Sequence, residues 1–176
     1  VFVTHDFNEL YFFGDRVAVL FDGRVVQFGT RDSVLSAPES EAIAEFLGVE
    51  NLLRGRIGEP DWSGFEIQLA AGVTIYGDSE RVAPGDQVIA CLRAKDVWIA
   101  QHDYRDPRLN RLLGRVAKVI PDGGQFKAVL DCGVRMVVAA GRRELAAGLL
   151  KAGTEVCVFF DPSSVHVIPG REISSL

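Results

Sequence analysis

The chain has 176 residues, of which 48% are hydrophobic and 24% charged, with 18 glycines; it can bury a sizeable core and is too apolar to be disordered. No apolar run approaches the ~20 residues of a membrane span, and a net charge of −5 argues against broad nucleic-acid binding, which calls for a basic excess. Cys91, Cys132 and Cys157 are widely spaced, odd in number and set among Val, Ile and Leu, as expected of reduced core residues in a cytosolic protein.

The chain opens on Val1 with no initiator methionine and runs straight into Val1-Phe2-Val3, so a fragment of a longer protein is expected. Its start lacks the basic, long-apolar and small-residue grammar of a secretory signal. Residues 1–3 read as extended and 6–13 as a short helix with Asp6 as N-cap. The mostly apolar run 16–21, the turn Asp22-Gly23 and the run 24–28 predict a β-hairpin, because both residues of a tight two-residue turn need positive φ. Thr30 then caps a short helix over 30–36, and Ile43, Phe46 and Leu47 fall at helical spacing within 39–47.

From about Glu50 the pattern changes to short strands separated by Gly, Pro and Asp turns, the grammar of an all-β barrel. This half repeats itself. Asn51-Leu-Leu-Arg-Gly-Arg-Ile57 aligns with Asn110-Arg-Leu-Leu-Gly-Arg-Val116, 59 residues on, and Phe65, Leu69, Gly72 and Val73 align with Phe126, Leu130, Gly133 and Val134, 61 residues on. Gly85, Val88 and Val97 match Gly153, Val156 and Val165 at 68, after a short insertion before Gly153. A repeat of this length suits a duplicated barrel module. The polar stretch 101–107 reads as the linker between copies. Arg105, Arg108, Arg111 and Arg115 cluster just there and read as a solvated face in preference to an anion site.

The stretch Val3-Thr4-His5-Asp6, followed by Asp15-Arg16-Val17-Ala18-Val19-Leu20 and Gly23-Arg24-Val25-Val26-Gln27-x-Gly29-Thr30, resembles the part of ABC ATPases that follows their D-loop. The resemblance implies that His5 is the switch histidine, which contacts the γ-phosphate of ATP; a neutral imidazole suits that task, donating from one nitrogen while a neighbour fixes the other. Leu10 and Arg31 depart from the family's usual Ala and Pro. No G-x-x-x-x-G-K-[ST] occurs, so this chain by itself is not expected to hydrolyse ATP or to hold a cofactor; ATP and Mg belong to the intact parent. Asp122-Gly123-Gly124-Gln125 looks like the family's L-S-G-G-Q signature but follows His5 by more than a hundred residues and reads as a hairpin turn.

The repeated half resembles the TOBE modules appended to ABC importer ATPases, most of all the tandem form related to molybdate-binding MOP domains, through Phe46-Leu47-Gly48-x-x-Asn51-Leu52-Leu53-x-Gly55, Arg108-Leu-Asn110-Arg-Leu-Leu-Gly114-Arg-Val116 and Pro162-Ser163-Ser164-Val165. The expected fold is mainly β: an ATPase-domain remnant over 1–48, a first TOBE/MOP-like, OB-like barrel over 49–101 and a second over 102–176. Asn51, Arg93, Lys95, Arg108, Asn110, Ser163 and Ser164 are the candidate oxyanion ligands, since a doubly charged anion leaving water needs several N–H or hydroxyl donors and positive charge. No metal site is expected.

Against anion binding, Asp161 stands where the MOP pattern has Lys, and Val138-Ala-Ala-Gly141 erodes its Ala-x-Thr segment. The resemblance implies the ATP-hydrolysing subunit of an importer for an oxyanion such as tungstate or molybdate, lying in the cytoplasm on the inner face of the membrane. Its implied partners are a second copy and the permease subunits, with no nucleic acid. Within that reading the β lobe supports dimerisation. The alternatives are an oxyanion sensor giving feedback inhibition, an importer for sulfate, sugar, polyamine or iron, and, against the His5 segment, a free-standing storage or nucleic-acid-binding barrel.

Overall fold

The computed structural model describes residues 1–4, 9–10, 15–61, 64–77, 82–101 and 106–170. The chain divides into two compact units, Val1–Gly48 and Val49–Leu176.

In the first unit, β1 (Arg16–Phe21) and β2 (Arg24–Thr30) form an antiparallel hairpin. Asp22 (φ 51°) and Gly23 (φ 72°) supply the left-handed turn that their types foretold. Thr30 caps α1 (Arg31–Ser36), accepting from the Ser33 N–H at 3.2 Å, and Ser40 caps α2 (Glu41–Phe46), accepting from the Ile43 N–H at 3.3 Å. Alternation along β1 turns Val17 and Val19 onto Val34, Leu35, Ile43 and Leu47. Buried Gln27 ties the hairpin to the loop between the helices, donating to the Ala37 carbonyl at 2.8 Å and accepting from the Glu39 N–H at 3.2 Å. Phe46, expected on the buried stripe, is instead 43% exposed and meets the Phe21 ring edge-on at 5.5 Å. Val1–Val3 is exposed and lies in no strand among the described residues, and of the helix expected over 6–13 only Glu9 and Leu10 are described, both helical.

The second unit is the repeated one. Its first copy supplies β3 (Asn51–Asp61), β4 (Gly64–Leu69), β5 (Thr74–Gly77), β6 (Gln87–Leu92) and β7 (Trp98–Ala100). The second supplies β8 (Asn110–Asp122), β9 (Gln125–Asp131), β10 (Arg135–Ala140), β11 (Glu155–Phe160) and β12 (His166–Pro169), with α3 (Arg142–Ala146) in its insertion. These strands make two five-stranded sheets, ordered β12-β6-β3-β4-β5 and β7-β11-β8-β9-β10. The orders are equivalent element for element, and the closing strand of each copy lies in the other copy's sheet: β7 pairs with β11 and β12 with β6. Outer strands β10 and β7 approach each other, which curls their sheet toward a barrel.

Matched residues hold matched places. Leu53 and Leu112, Ile57 and Val116, Leu69 and Leu130, Ile75 and Met136, Leu92 and Phe160, Val97 and Val165 all sit in one shared core. The Gly85 N–H donates to the Ile57 carbonyl at 2.8 Å, and the Gly153 N–H to that of Val116 at 2.8 Å. The first hairpin of each copy is bulged just after this point, at Ile57/Pro60 and Val116/Lys118. Gly55 and Gly114 are the G of N-x-L-x-G-R, and both need the absence of a side chain. A Cβ on Gly55 would lie 2.8 Å from the Gln68 carbonyl oxygen, and one on Gly114 2.6 Å from the Cys132 Sγ. Asp122 ends β8 and Gln125 opens β9, with Gly123 (φ 53°) and Gly124 (φ 90°) between, so the G-G-Q segment is a hairpin turn. All three cysteines are buried, and none is in a disulfide.

Candidate oxyanion site and inter-repeat contacts

The seven oxyanion candidates fall into two groups related by the repeat. Asn51, Arg93 and Lys95 lie at the start of β3 and on the 3-10 turn Ala94–Asp96, which packs on β10. Asn110, Arg108, Ser163 and Ser164 lie at the start of β8 and on the equivalent turn Pro162–Ser164, which packs on β5.

Both asparagines are buried and committed to backbone. Asn51 donates through Nδ2 to the carbonyls of Val137 at 2.9 Å and Leu92 at 3.1 Å, and its Oδ1 accepts from the Val137 N–H at 2.6 Å. Asn110 does the same to Tyr76, donating to its carbonyl at 2.8 Å and accepting from its N–H at 2.6 Å. Each asparagine thus reaches from its own copy to the third strand of the other.

In the second group, Arg108 and Ser163 face carboxylates. Arg108 meets Asp106 in a two-point ion pair, Nε to Oδ1 at 3.0 Å and Nη2 to Oδ2 at 2.8 Å, while its backbone N–H adds a third bond at 3.0 Å. The Arg108 side chain is the main reason that the Asp106 carboxyl is held down at about 2. Asp161 caps the 3-10 turn, accepting from the Ser163 N–H at 2.8 Å and its hydroxyl at 2.7 Å, and those bonds lower its pKa. The residue replacing the pattern's lysine therefore occupies the serine that the pattern would offer to an anion.

In the first group the organising residue is one that the sequence did not single out. Glu50 accepts from the Ala94 N–H at 3.0 Å and lies 3.4 Å from the Lys127 ammonium, which also pairs with Asp122 at 3.1 Å. The Asp122 bond is the main cause of a raised Lys127 pKa. Leu109 occupies the equivalent place in the second copy, so the repeat itself carried no signal for Glu50. Arg93 is half-buried, Lys95 exposed and Ser164 half-buried. In the arginine cluster, Arg115 pairs with Glu155 at 2.7 Å on the surface. His5 and Arg105 lie outside the described residues.

Two five-stranded sheets that exchange their closing strands around a common core make the β lobe a tandem OB-like fold. The cytoplasmic molybdate-binding protein ModG, solved with molybdate bound, superposes with a TM-score of 0.61, covering 69% of this chain and 98% of ModG at 19% identity. No family model matches the chain. Its curated relatives name its kin more closely: it is related to the ATP-binding subunits of ABC importers. It is 29% identical over 170 residues, 96% of its length, to the molybdate/tungstate import ATP-binding protein WtpC of Pyrococcus horikoshii. It is 31% identical over 148 residues, 84% of its length, to the spermidine/putrescine import ATP-binding protein PotA of Nitratidesulfovibrio vulgaris. A 53-residue stretch is 51% identical to WtpC of Thermococcus kodakarensis. The chain spans less than half of the first two relatives, 47% and 39% of their lengths. No helix among the described residues is long and apolar enough to cross a membrane.

Proposed function

We propose that the chain is part of the ATP-hydrolysing subunit of an ABC importer for molybdate or tungstate, and that its β lobe is a structural support for the paired subunits. In this reading His5 contacts the γ-phosphate of ATP, Mg accompanies the nucleotide, and the parent subunit docks as a dimer on its permease at the cytoplasmic membrane face. Similarity to WtpC over 96% of the chain supports the oxyanion cargo, and PotA keeps polyamines as the other cargo class.

For the structural role, one observation carries the reading: the best oxyanion donors are already satisfied within the lobe. Both asparagine amides are spent on backbone, Arg108 is neutralised by Asp106, and the Ser163 hydroxyl is spent on Asp161. An incoming molybdate would have to break these bonds and settle beside two carboxylates, where like charge opposes it. The second reading, an anion sensor, draws on the fold shared with molybdate-bound ModG and on Arg93, Lys95 and Ser164 at the two turns. Calorimetric titration of molybdate and tungstate into the chain at moderate salt separates the two. The structural reading expects no saturable heat up to millimolar anion; saturable binding at micromolar concentration overturns it in favour of the sensor.

A further inference from the structure

We propose that Glu50 and Asp161 serve as built-in anions, each holding donors that an oxyanion would need, and that Glu50 in particular sets the lobe against oxyanions. This rests on the structural reading above and names the residues that enforce it.

A carboxylate and a tetrahedral oxyanion ask for the same surroundings, N–H or hydroxyl donors on their oxygens and a cation close by. Glu50 has both. Its Oε2 accepts from the Ala94 N–H at 3.0 Å, and its Oε1 lies 3.4 Å from the Lys127 Nζ. The Glu50 side chain is 24% exposed, so the place it fills can be reached from solvent. Around it three cations, Arg93, Lys95 and Lys127, are set against three carboxylates, Asp96, Asp122 and Glu50 itself. Without Glu50 the group would carry an excess positive charge beside a backbone N–H that has lost its acceptor.

Asp161 reaches the same result from an unrelated position. Its Oδ1 accepts from the Ser163 N–H at 2.8 Å and from the Ser163 hydroxyl at 2.7 Å. By the repeat, Asp161 corresponds to Arg93 and Glu50 to Leu109, so neither carboxylate copies the other. The difference has a local cause. Pro162 stands where the first copy has Ala94 and has no N–H, so a glutamate in place of Leu109 would find no donor there. Two places that the duplication does not relate thus carry a carboxylate on turn donors. A dianion arriving at either would meet like charge and donors already spent, which rejects a ligand without any steric block.

The test compares the full chain with its Glu50→Ala and Asp161→Ser variants, using sodium molybdate as the probe at constant ionic strength. The wild type should give no saturable heat up to millimolar anion, whereas Glu50→Ala should bind at least about tenfold more tightly than that limit. Asp161→Ser should bind more weakly than Glu50→Ala, since Asp106 still holds Arg108. In Glu50→Ala the Ala94 amide signal should move to saturation, molybdate should raise the Tm, and adding Lys127→Gln should weaken binding again. A folded Glu50→Ala variant that takes up no molybdate, alongside a wild type that takes up none, would overturn this inference alone and leave the structural reading standing. Saturable binding by the wild type would overturn both. Binding by Glu50→Ala that leaves Ala94 unmoved would refute the inference too, because the anion would then sit elsewhere. Where Glu50→Ala does not fold by itself it is refolded with molybdate present: recovery supports the inference, and failure to recover overturns it.

Discussion

Replacing Asn51 by Ala removes three hydrogen bonds, to Val137 N–H, Val137 C=O and Leu92 C=O, at 2.6, 2.9 and 3.1 Å. The larger cost lies in what remains, because Val137 is only 6% exposed and its two peptide groups lose their partner. A buried polar group left unmade costs about 1–3 kcal/mol, so the variant should lose about 3 kcal/mol. For a lobe of roughly 130 residues that is a fall in Tm of about 10 °C. Asn51→Asp sharpens the test. The aspartate keeps the acceptor for the Val137 N–H, yet must be protonated to donate to the carbonyls, so its pKa is raised on folding. A raised folded pKa stabilises below the unfolded value and loses that contribution as pH rises through the folded one. Urea midpoints should therefore place the aspartate variant nearest wild type at pH 4–5 and furthest at pH 8. An Ala variant within 0.5 kcal/mol of wild type on the ~3 kcal/mol scale, or an Asp deficit flat with pH, would refute the reasoning.

Gly55→Ala should destabilise the lobe by about 1–3 kcal/mol in urea unfolding, since its Cβ meets a backbone oxygen at 2.8 Å. Gly123→Ala, at φ 53° with open space around it, should lose less, about 1 kcal/mol. Burial, reinforced by neighbouring Asp131, holds the Cys132 thiol up at about 11, and all three cysteines are buried, so iodoacetamide at pH 8 should label them no faster than the chain unfolds; labelling of Cys132 within minutes in native buffer would contradict this. The Asp106 carboxyl should titrate by NMR with a midpoint at about 2, below its ordinary 3.8. Because that pKa is depressed, its pairing with Arg108 is fully present above the ordinary value and fades only as pH falls toward 2; the Arg108→Ala variant should raise the midpoint toward 3.8 without reaching it, because the backbone N–H bond of residue 108 remains.

Much of this architecture was legible because duplication wrote it twice. Conserved spacing of Asn, Gly and the apolar positions marked the matching strands, and the Asp-Gly and Gly-Gly dipeptides marked their turns through a demand for positive φ. What stayed hidden was which sheet receives each closing strand. Strands β7 and β12 are short, mostly apolar runs that suit either arrangement, and pairing across copies leaves no local trace. The asparagines were singled out as polar residues at a repeated place, which was informative; their partners, 86 and 34 residues away, were invisible to local reading. Ser163 and Arg108 looked like anion donors by residue type and by their place in the MOP-like stretches. A sequence displays donors, whereas only packing shows that Asp161 and Asp106 already occupy them. Phe46 shows the converse limit, since helical spacing placed it on a face that the short α2 does not bury.

The proposed function rests most heavily on His5 serving the terminal phosphate of ATP in the parent subunit. The direct measurement is steady-state ATP hydrolysis by that subunit, wild type against His5→Ala, with nucleotide affinity followed in parallel. The account expects hydrolysis to fall by about 10²–10³ while ATP binding changes little, as when a group acting at the transition state is lost. Undiminished hydrolysis in the variant, or a parent subunit that neither binds nor cleaves ATP, would contradict it.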